Sequence, residues 1–470
     1  MLEFHKKKSK NPSKTEPEKR IKDFQEIYSQ FDKNDSVEQS SRCSQCGIPY
    51  CQIHCPLNNN IPDWLRYIAE GRLEEAYQVS ASTNAFPEVC GRVCPQDRLC
   101  EGNCVVEQAG FGAITIGNLE KYLTEIAWEK GWVKNLSSQN QYKQKVAIIG
   151  SGPAGMAASA YLIQNGYKVD VYEKNDRAGG LMIYGIPNFK LDKKIVERRT
   201  EWLTDSGVVF NLNTEVGKNI SFQDLEKDYD AILIATGVYK ARQLDIDTSS
   251  VNNSIPALDF LIESNRVGLG DSPTKNKYLT AKDKHVVVIG GGDTAMDCVR
   301  TAIRQQAKEV TCLYRRNKEN MPGSAREVLN AEQEGIKFNW LSVPSKIISD
   351  SATATSMTYK VATLGEVDES GRRKPIDTGV EKQIKSDLII QALGFEPEDL
   401  NHNFKTNIEL TSWKTVKVDF KKFQTSNPKI FAAGDIVRGA SLVVWAIHDG
   451  REVAKSIHNF LQSSKIKKAS

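Results

Sequence analysis

The sequence predicts an α/β protein in which two doubly wound, parallel-sheet units follow a mainly helical, cysteine-rich segment. Three observations predict it. A short apolar run, a glycine-rich turn and a helical stretch occur in that order twice, beginning at Val146 and again at Val286. Such alternation implies a parallel sheet with helices on both faces. Ahead of both units, eight of the ten cysteines crowd between Cys43 and Cys104.

At 470 residues the chain has room for roughly two to four domains and a sizeable core. Forty per cent hydrophobic residues, 26% charged and a formal net charge of +4 are ordinary for a globular protein. That charge excess is too small to imply a nucleic-acid partner. Part of it lies in Lys6, Lys7, Lys8, Lys10, Lys14, Lys19 and Arg20, in a polar stretch without apolar periodicity. This predicts a disordered or loosely held tail. No run approaches the roughly 18 apolar residues of a membrane helix, and no apolar signal-peptide core stands near the start. A cytoplasmic protein with no membrane partner is expected. In a reducing compartment, clustered cysteines indicate metal rather than disulfides.

Residues 1–140 are expected to form the helical cysteine domain, with helices near Pro62 to Glu70 and Leu73 to Ser80. In the first, Ile61, Leu65, Ile68 and Ala69 recur at helical spacing. The polar run Asn135 to Gln144 reads as a linker. Residues 141–280 and 396–470 are then two parts of the first nucleotide-binding domain, flanking a second at 281–395.

In the first unit, the strand Val146 to Ile149 leads into Gly150, Ser151, Gly152, Pro153, Ala154 and Gly155, followed by a helix from Met156 to Gln164. Gly150 permits the tight turn, Gly152 the approach of a pyrophosphate, and Gly155 close packing of helix on strand. The helix N-terminus offers free amides to phosphate. A second strand, Lys168 to Tyr172, ends at Glu173 with Lys174 beside it. Glu173 lies 18 residues past Gly155, where a carboxylate can grip a ribose diol. Downstream, Ala231 to Gly237 is a strand ending in the turn Thr236-Gly237, and Phe431 to Asp435 ends in Gly434-Asp435. Asp435 can hydrogen-bond a ribityl chain, and a helical segment from about Ser441 to Phe460 can point its positive end at a flavin. FAD is therefore expected here.

In the second unit, the strand His285 to Ile289 precedes Gly290, Gly291, Gly292, Asp293, Thr294 and Ala295, then a helix from Met296 to Gln305. Ala295 is a permitted replacement of the third glycine. The next strand, Val310 to Tyr314, ends in Arg315 and Arg316, 20 and 21 residues past Ala295. A carboxylate there would repel a 2′-phosphate, whereas a guanidinium binds it with forked hydrogen bonds. NADPH is expected at this second site.

The cysteines run Cys43, Cys46, Cys51, Cys55-Pro56, then Cys90, Cys94-Pro95, Cys100 and Cys104. Closely spaced thiolates with a terminal Cys-Pro are similar to ferredoxin runs. Two zinc sites, with His54 as a nitrogen donor, are the alternative. Zinc sites usually show paired CxxC units, and only Cys43 and Cys46 do so here. Iron–sulfur is favoured. Cys298 and Cys312 read as small buried hydrophobes, and His448 as a packing or hydrogen-bonding residue. No catalytic side chain stands out.

On Cys43-Ser-Gln-Cys-Gly47, Cys90-Gly-Arg-Val-Cys-Pro95, Gly179-Gly-Leu-Met-Ile-Tyr-Gly-Ile-Pro187, Gly290-Gly-Gly-Asp-Thr-Ala-Met-Asp297 and Ala432-Ala-Gly-Asp435, the chain resembles a known family along essentially its whole length. It is the small-subunit family of NADPH-dependent glutamate synthase, within a wider group that includes the N-terminal half of dihydropyrimidine dehydrogenase. The resemblance implies two Rossmann-like FAD/NAD(P)-binding domains behind an α-helical iron–sulfur domain. It adds Gly180 and Leu181 to the cofactor-contacting residues. It further implies two 4Fe-4S clusters, one on Cys43, Cys46, Cys51 and Cys104. The other would use Cys55, Cys94, Cys100 and Glu120, leaving Cys90 a non-ligand neighbour. Electrons would run from NADPH through FAD and the clusters to a large (alpha) subunit that makes glutamate from glutamine and 2-oxoglutarate. The alternatives are an input subunit of a pyrimidine dehydrogenase or an NADPH–ferredoxin transhydrogenase and, from another class, a nonenzymatic zinc-containing nucleotide sensor.

Overall fold

In the computed structural model, which describes residues 1–248, 251–367, 371 and 373–469, each glycine-rich turn follows the middle strand of a five-stranded sheet. From edge to edge, the first sheet is Ile430–Ala432, Ala231–Ile234, Lys145–Ile149, Lys168–Tyr172 and Val209–Asn211. The second is Ser254–Pro256, Leu388–Gln391, His285–Ile289, Glu309–Leu313 and Lys337–Asn339. Every pairing in both is parallel. Helices cover both faces of the first sheet and one face of the second, whose other face is covered by an antiparallel insertion, so Val146 to Ile149 and Val286 to Ile289 are buried on each side. That is why they read as unbroken apolar runs instead of alternating ones.

Two features differ from expectation. The second sheet takes its edge strand from Ser254–Pro256, ahead of position 281, and the helix Ala257–Gly268 that follows packs on Asp293–Arg304. A strand of three residues containing proline has no periodicity to announce it. The second unit also carries an antiparallel three-stranded insertion, Ser342–Asp350, Thr353–Val367 and Arg373–Lys385. It lies against the sheet through Ala354, Met357 and Tyr359, which pack with Val287, Ile289 and Leu313.

The cysteine domain is built mainly on the helices Lys33–Ser41, Ile61–Ala69, Leu73–Ala81, Pro87–Val93 and Ile116–Glu129. The apolar face of Ile61–Ala69 is fully used: Ile61, Trp64, Leu65 and Ile68 are buried. Trp64 Nε1 donates to Asn59 Oδ1 at 2.8 Å, and Asn59 in turn donates to the Ser80 carbonyl. Truncating Trp64 to alanine would cost about 3–5 kcal/mol. Phe86 and Val89 share one continuous apolar core with Met156 and Ile447 of the first unit. The buried pair Arg199–Glu88, at 2.6 and 2.9 Å, crosses the same boundary.

The first twenty residues are ordered, which corrects the expected loose tail. The Leu2 amide donates to the Cys43 carbonyl, and Arg42 holds the Lys7 carbonyl. Lys14 bridges to Tyr28 and reaches Asn330 and Gln333 of the second unit. Arg20 is 1% exposed and lies 2.9 Å from Glu334. Lys7, Lys10, Lys14 and Arg20 find their partners in distant chain, so local composition hides them. Among the described residues no helix is long and apolar enough to cross a membrane.

Candidate functional site

The first glycine turn opens on a cleft. Gly150, Ser151, Gly152, Pro153, Ala154, Glu173, Lys174, Leu181, Thr236, Gly237, Gly434 and Asp435 all line it. Gly150 adopts φ +103°, and a Cβ there would lie 2.5 Å from the Ala235 carbonyl oxygen, so the turn accepts only glycine. Gly155 and Gly180 stand behind the cleft wall. The first is pressed on the Gly150 carbonyl, the second on the Gly152 Cα.

Two helix N-termini converge on this cleft. One is Pro153–Gln164; the other is Val443–Ala469, preceded by Ser441 and Leu442 in the lining. They pack closely because Gly450 has no side chain: a Cβ would fall 2.3 Å from the Ala154 carbonyl oxygen. The field of both ends favours an anion. Glu173 is buried with its carboxylate fixed, Oε2 accepting from the Ser151 amide and hydroxyl at 3.1 and 2.6 Å. Oε1 accepts from the Asn175 amide and side chain. Burial pushes the Asp435 carboxyl up to about 6, partly offset by the Ser441 amide. Thr236 Oγ1 is buried with no partner, a polar atom that a polyol would satisfy. These residues fit a dinucleotide with an anionic backbone and hydroxyl-bearing chain. Tyr239, half-buried in the same cleft with Lys174 Nζ 4.7 Å from its ring centre, escaped the sequence reading. Its only signal is an aromatic two residues past the Gly237 turn.

The second glycine turn repeats the design with less enclosure. Gly290 has φ +146° and abuts the Ala392 carbonyl, Gly291 abuts the Tyr314 ring, and Gly292 faces open space. The helix Asp293–Arg304 follows, with Ala295 wholly buried and Thr294 on its first turn. Asp293 Oδ1 accepts from the Ser324 amide at 2.9 Å. The terminal arginines of the next strand diverge. Arg315 is exposed, whereas Arg316 is buried and donates to the Arg373 carbonyl at 2.8 Å.

The cysteines separate into two groups. Cys43, Cys46, Cys51 and Cys104 are mutually close: burial and the neighbouring sulfurs push the Cys51 thiol up to about 12. Gln45 Nε2 donates to Cys43 Sγ at 3.3 Å, and Ser44 Oγ lies 2.9 Å from Cys46 Sγ. Cys55, Cys94, Cys100 and Glu120 line a second cavity. Burial raises Cys55 to about 11 and Glu120 to about 8. Cys90 lines this cavity too and hydrogen-bonds Cys94. Gln96 Oε1, whose residue shares that lining, is buried without a partner.

Among the described residues no three His, Cys, Asp or Glu side chains are gathered to hold one metal ion. A single zinc draws its ligands to about 2.0–2.3 Å from one point. Soft thiol donors spread around a cavity fit a polynuclear iron–sulfur cluster instead. His54, the nitrogen donor of the zinc alternative, turns to the Tyr50 carbonyl. Cys298 and Cys312 are fully buried in the second unit's core, and His448 hydrogen-bonds Asp449.

The chain is similar to known proteins. A family described as "Dihydroprymidine dehydrogenase domain II, 4Fe-4S cluster" matches residues 20–132, and "Pyridine nucleotide-disulphide oxidoreductase" matches residues 144–450. The glutamate synthase [NADPH] small chain of Azospirillum brasilense is 51% identical over 98% of this chain and 97% of its own length. That of Escherichia coli K12 is 46% identical over 94% of each. Among solved structures, Mycobacterium tuberculosis FprA in complex with NADPH superposes with a TM-score of 0.58 at 19% identity, covering 70% of this chain and 86% of its own. That likeness concerns the fold. Identity of 46–51% over nearly the full length settles the family: the chain belongs to the glutamate synthase small-chain family.

Proposed function

We propose that the chain is the NADPH-oxidising electron-input subunit of glutamate synthase, working in the cytoplasm with a large chain that makes glutamate from glutamine and 2-oxoglutarate. One observation carries the reading. Leu442, Val443 and Ala446 line the first cleft, while Val444 of the same helical turn lines the Cys55–Cys94–Cys100 cavity. One helical turn, about 5.4 Å long, therefore borders both sites.

Bound there, FAD and the 4Fe-4S clusters supply the redox chemistry, dividing the electron pair of an NADPH hydride into single electrons. The residues of the chain bind and orient. Glu173 holds the ribose diol and Asp435 the ribityl hydroxyls of the flavin nucleotide. The two helix N-termini face its phosphates and ring with positive potential. Gly290 to Ala295 take the pyrophosphate of NADPH, and Arg315 takes its 2′-phosphate. Cys43, Cys46, Cys51 and Cys104 hold one cluster; Cys55, Cys94, Cys100 and Glu120 hold the other.

The test is isolation of the native complex. A co-purifying large chain, with glutamate formed by the complex and NADPH-driven dye reduction by this chain alone, supports the proposal. Purified chain with zinc and without flavin or broad iron–sulfur absorbance refutes it.

A further inference from the structure

The phosphate-facing helices of the two units begin with residues of opposite character. In the first unit the leading residue is Pro153; in the second it is Asp293. A carboxylate in the first turn favours the helix itself. It also repels the pyrophosphate that the same N-terminus is built to hold.

An answering charge arrives from outside the unit. Arg98 sits on the short turn between Cys94 and Cys100, and its Nη2 lies 3.4 Å from Asp293 Oδ2. Its Nη1 donates to the Pro322 carbonyl at 2.6 Å. The neighbouring Gly323 amide donates to the Gly291 carbonyl at 2.9 Å, so Arg98 touches the loop that closes on the second glycine turn. The side chain is still 44% exposed there. Asp97 makes a different kind of contact. Its carboxylate accepts from the Ser324 hydroxyl and the Ala325 amide, both at 3.2 Å, capping the helix Ala325–Gln333.

The geometry points to Arg98 as a positioning residue for the nicotinamide dinucleotide. It is a cation lent by the iron–sulfur domain that neutralises Asp293 and makes the Gly290–Ala295 turn a net anion site. Asp97 ties the two domains together; Arg98 tunes the nucleotide site. The inference rests on the nucleotide site proposed above. It concerns the pyrophosphate, which NADP and NAD share, so it does not depend on the 2′-phosphate assignment.

Calorimetric titration of the full chain with NADP⁺ and with NAD⁺ tests it, with flavin and cluster content read from the absorbance spectrum. Arg98→Ala is expected to weaken both nucleotides by about tenfold and to flatten the salt dependence of binding. Arg98→Lys, which keeps the charge, should retain most of the affinity. Asp293→Asn placed in the Arg98→Ala background should restore most of what was lost. Asp97→Asn should lower the melting temperature and bind nucleotide as the parent does. Unchanged affinity in Arg98→Ala would overturn the inference. So would a double variant as weak as Arg98→Ala, since Arg98 would then be only a domain tie. A parent chain that binds neither nucleotide would overturn the nucleotide site along with it.

Discussion

Arg315 and Arg316 are adjacent in sequence and opposite in surroundings. Arg315 is exposed just past its strand and, under the proposed function, meets the 2′-phosphate, while Arg316 is buried with its Nε on the Arg373 carbonyl of the antiparallel insertion. The two should fail differently. Arg315→Ala should raise the KM for NADPH about tenfold and leave the KM for NADH unchanged, as measured by steady-state dye reduction. Arg316→Ala should treat both nucleotides alike and lose about 1–3 kcal/mol of stability, measured by denaturant unfolding. If Arg316→Ala proves the NADPH-selective variant, the roles are reversed.

At the scale of elements, the N-terminal segment straps the cysteine domain onto the second unit. Arg20 meets Glu334, which also receives Arg300 and Arg304, and Glu327 pairs with Arg300 at 2.5 Å. Burial alone would raise the Glu327 carboxyl, but Arg300, Lys190 and Arg326 hold it down to about 2. An unfolded glutamate titrates near about 4.3. The folded value is depressed, so this stabilisation is full above about 4.3 and is lost as pH falls toward 2. It amounts to about 3 kcal/mol at neutral pH. Glu327→Gln should therefore be less stable by up to that amount at pH 7. The gap should fall to about half by pH 3, read from urea midpoints at the two values. A gap that stays constant with pH would exclude the ionic account.

At the scale of the whole molecule, the cysteine groups define an inner and an outer end. The second group shares a helical turn with the flavin cleft. The first is bordered by exposed apolar residues: Ile48 and Tyr50 between Cys46 and Cys51, Ile53 just past Cys51, Val105 beside Cys104, and Leu2, whose amide binds the Cys43 carbonyl. Apolar residues grouped in this way suit a protein contact. Under the proposed function this surface receives the large chain. Ile48→Asp with Ile53→Asp should leave NADPH-driven dye reduction intact and weaken assembly with the large chain by at least about tenfold, measured by sedimentation or co-purification. Unaltered assembly would move the contact elsewhere.

The sequence by itself determined both nucleotide units, because each strand, glycine turn and helix is a local solution to burying apolar residues while presenting amides to phosphate. Glu173 and Asp435 were legible for the same reason, standing at defined distances from those turns. The cysteine spacing pointed to metal, yet the grouping of Cys104 with Cys43 came from the resemblance. It depends on how the helices fold back, as the coupling of those thiols displays. Only the tertiary structure decided the order of the basic N-terminal segment, the origin of the edge strand Ser254–Pro256 and the split between Arg315 and Arg316. It alone brought Arg98 to Asp293. The physical reason is the same in each case: a charge or an edge strand is stabilised by a partner far away in the chain, and neither periodicity nor composition carries information about a distant partner.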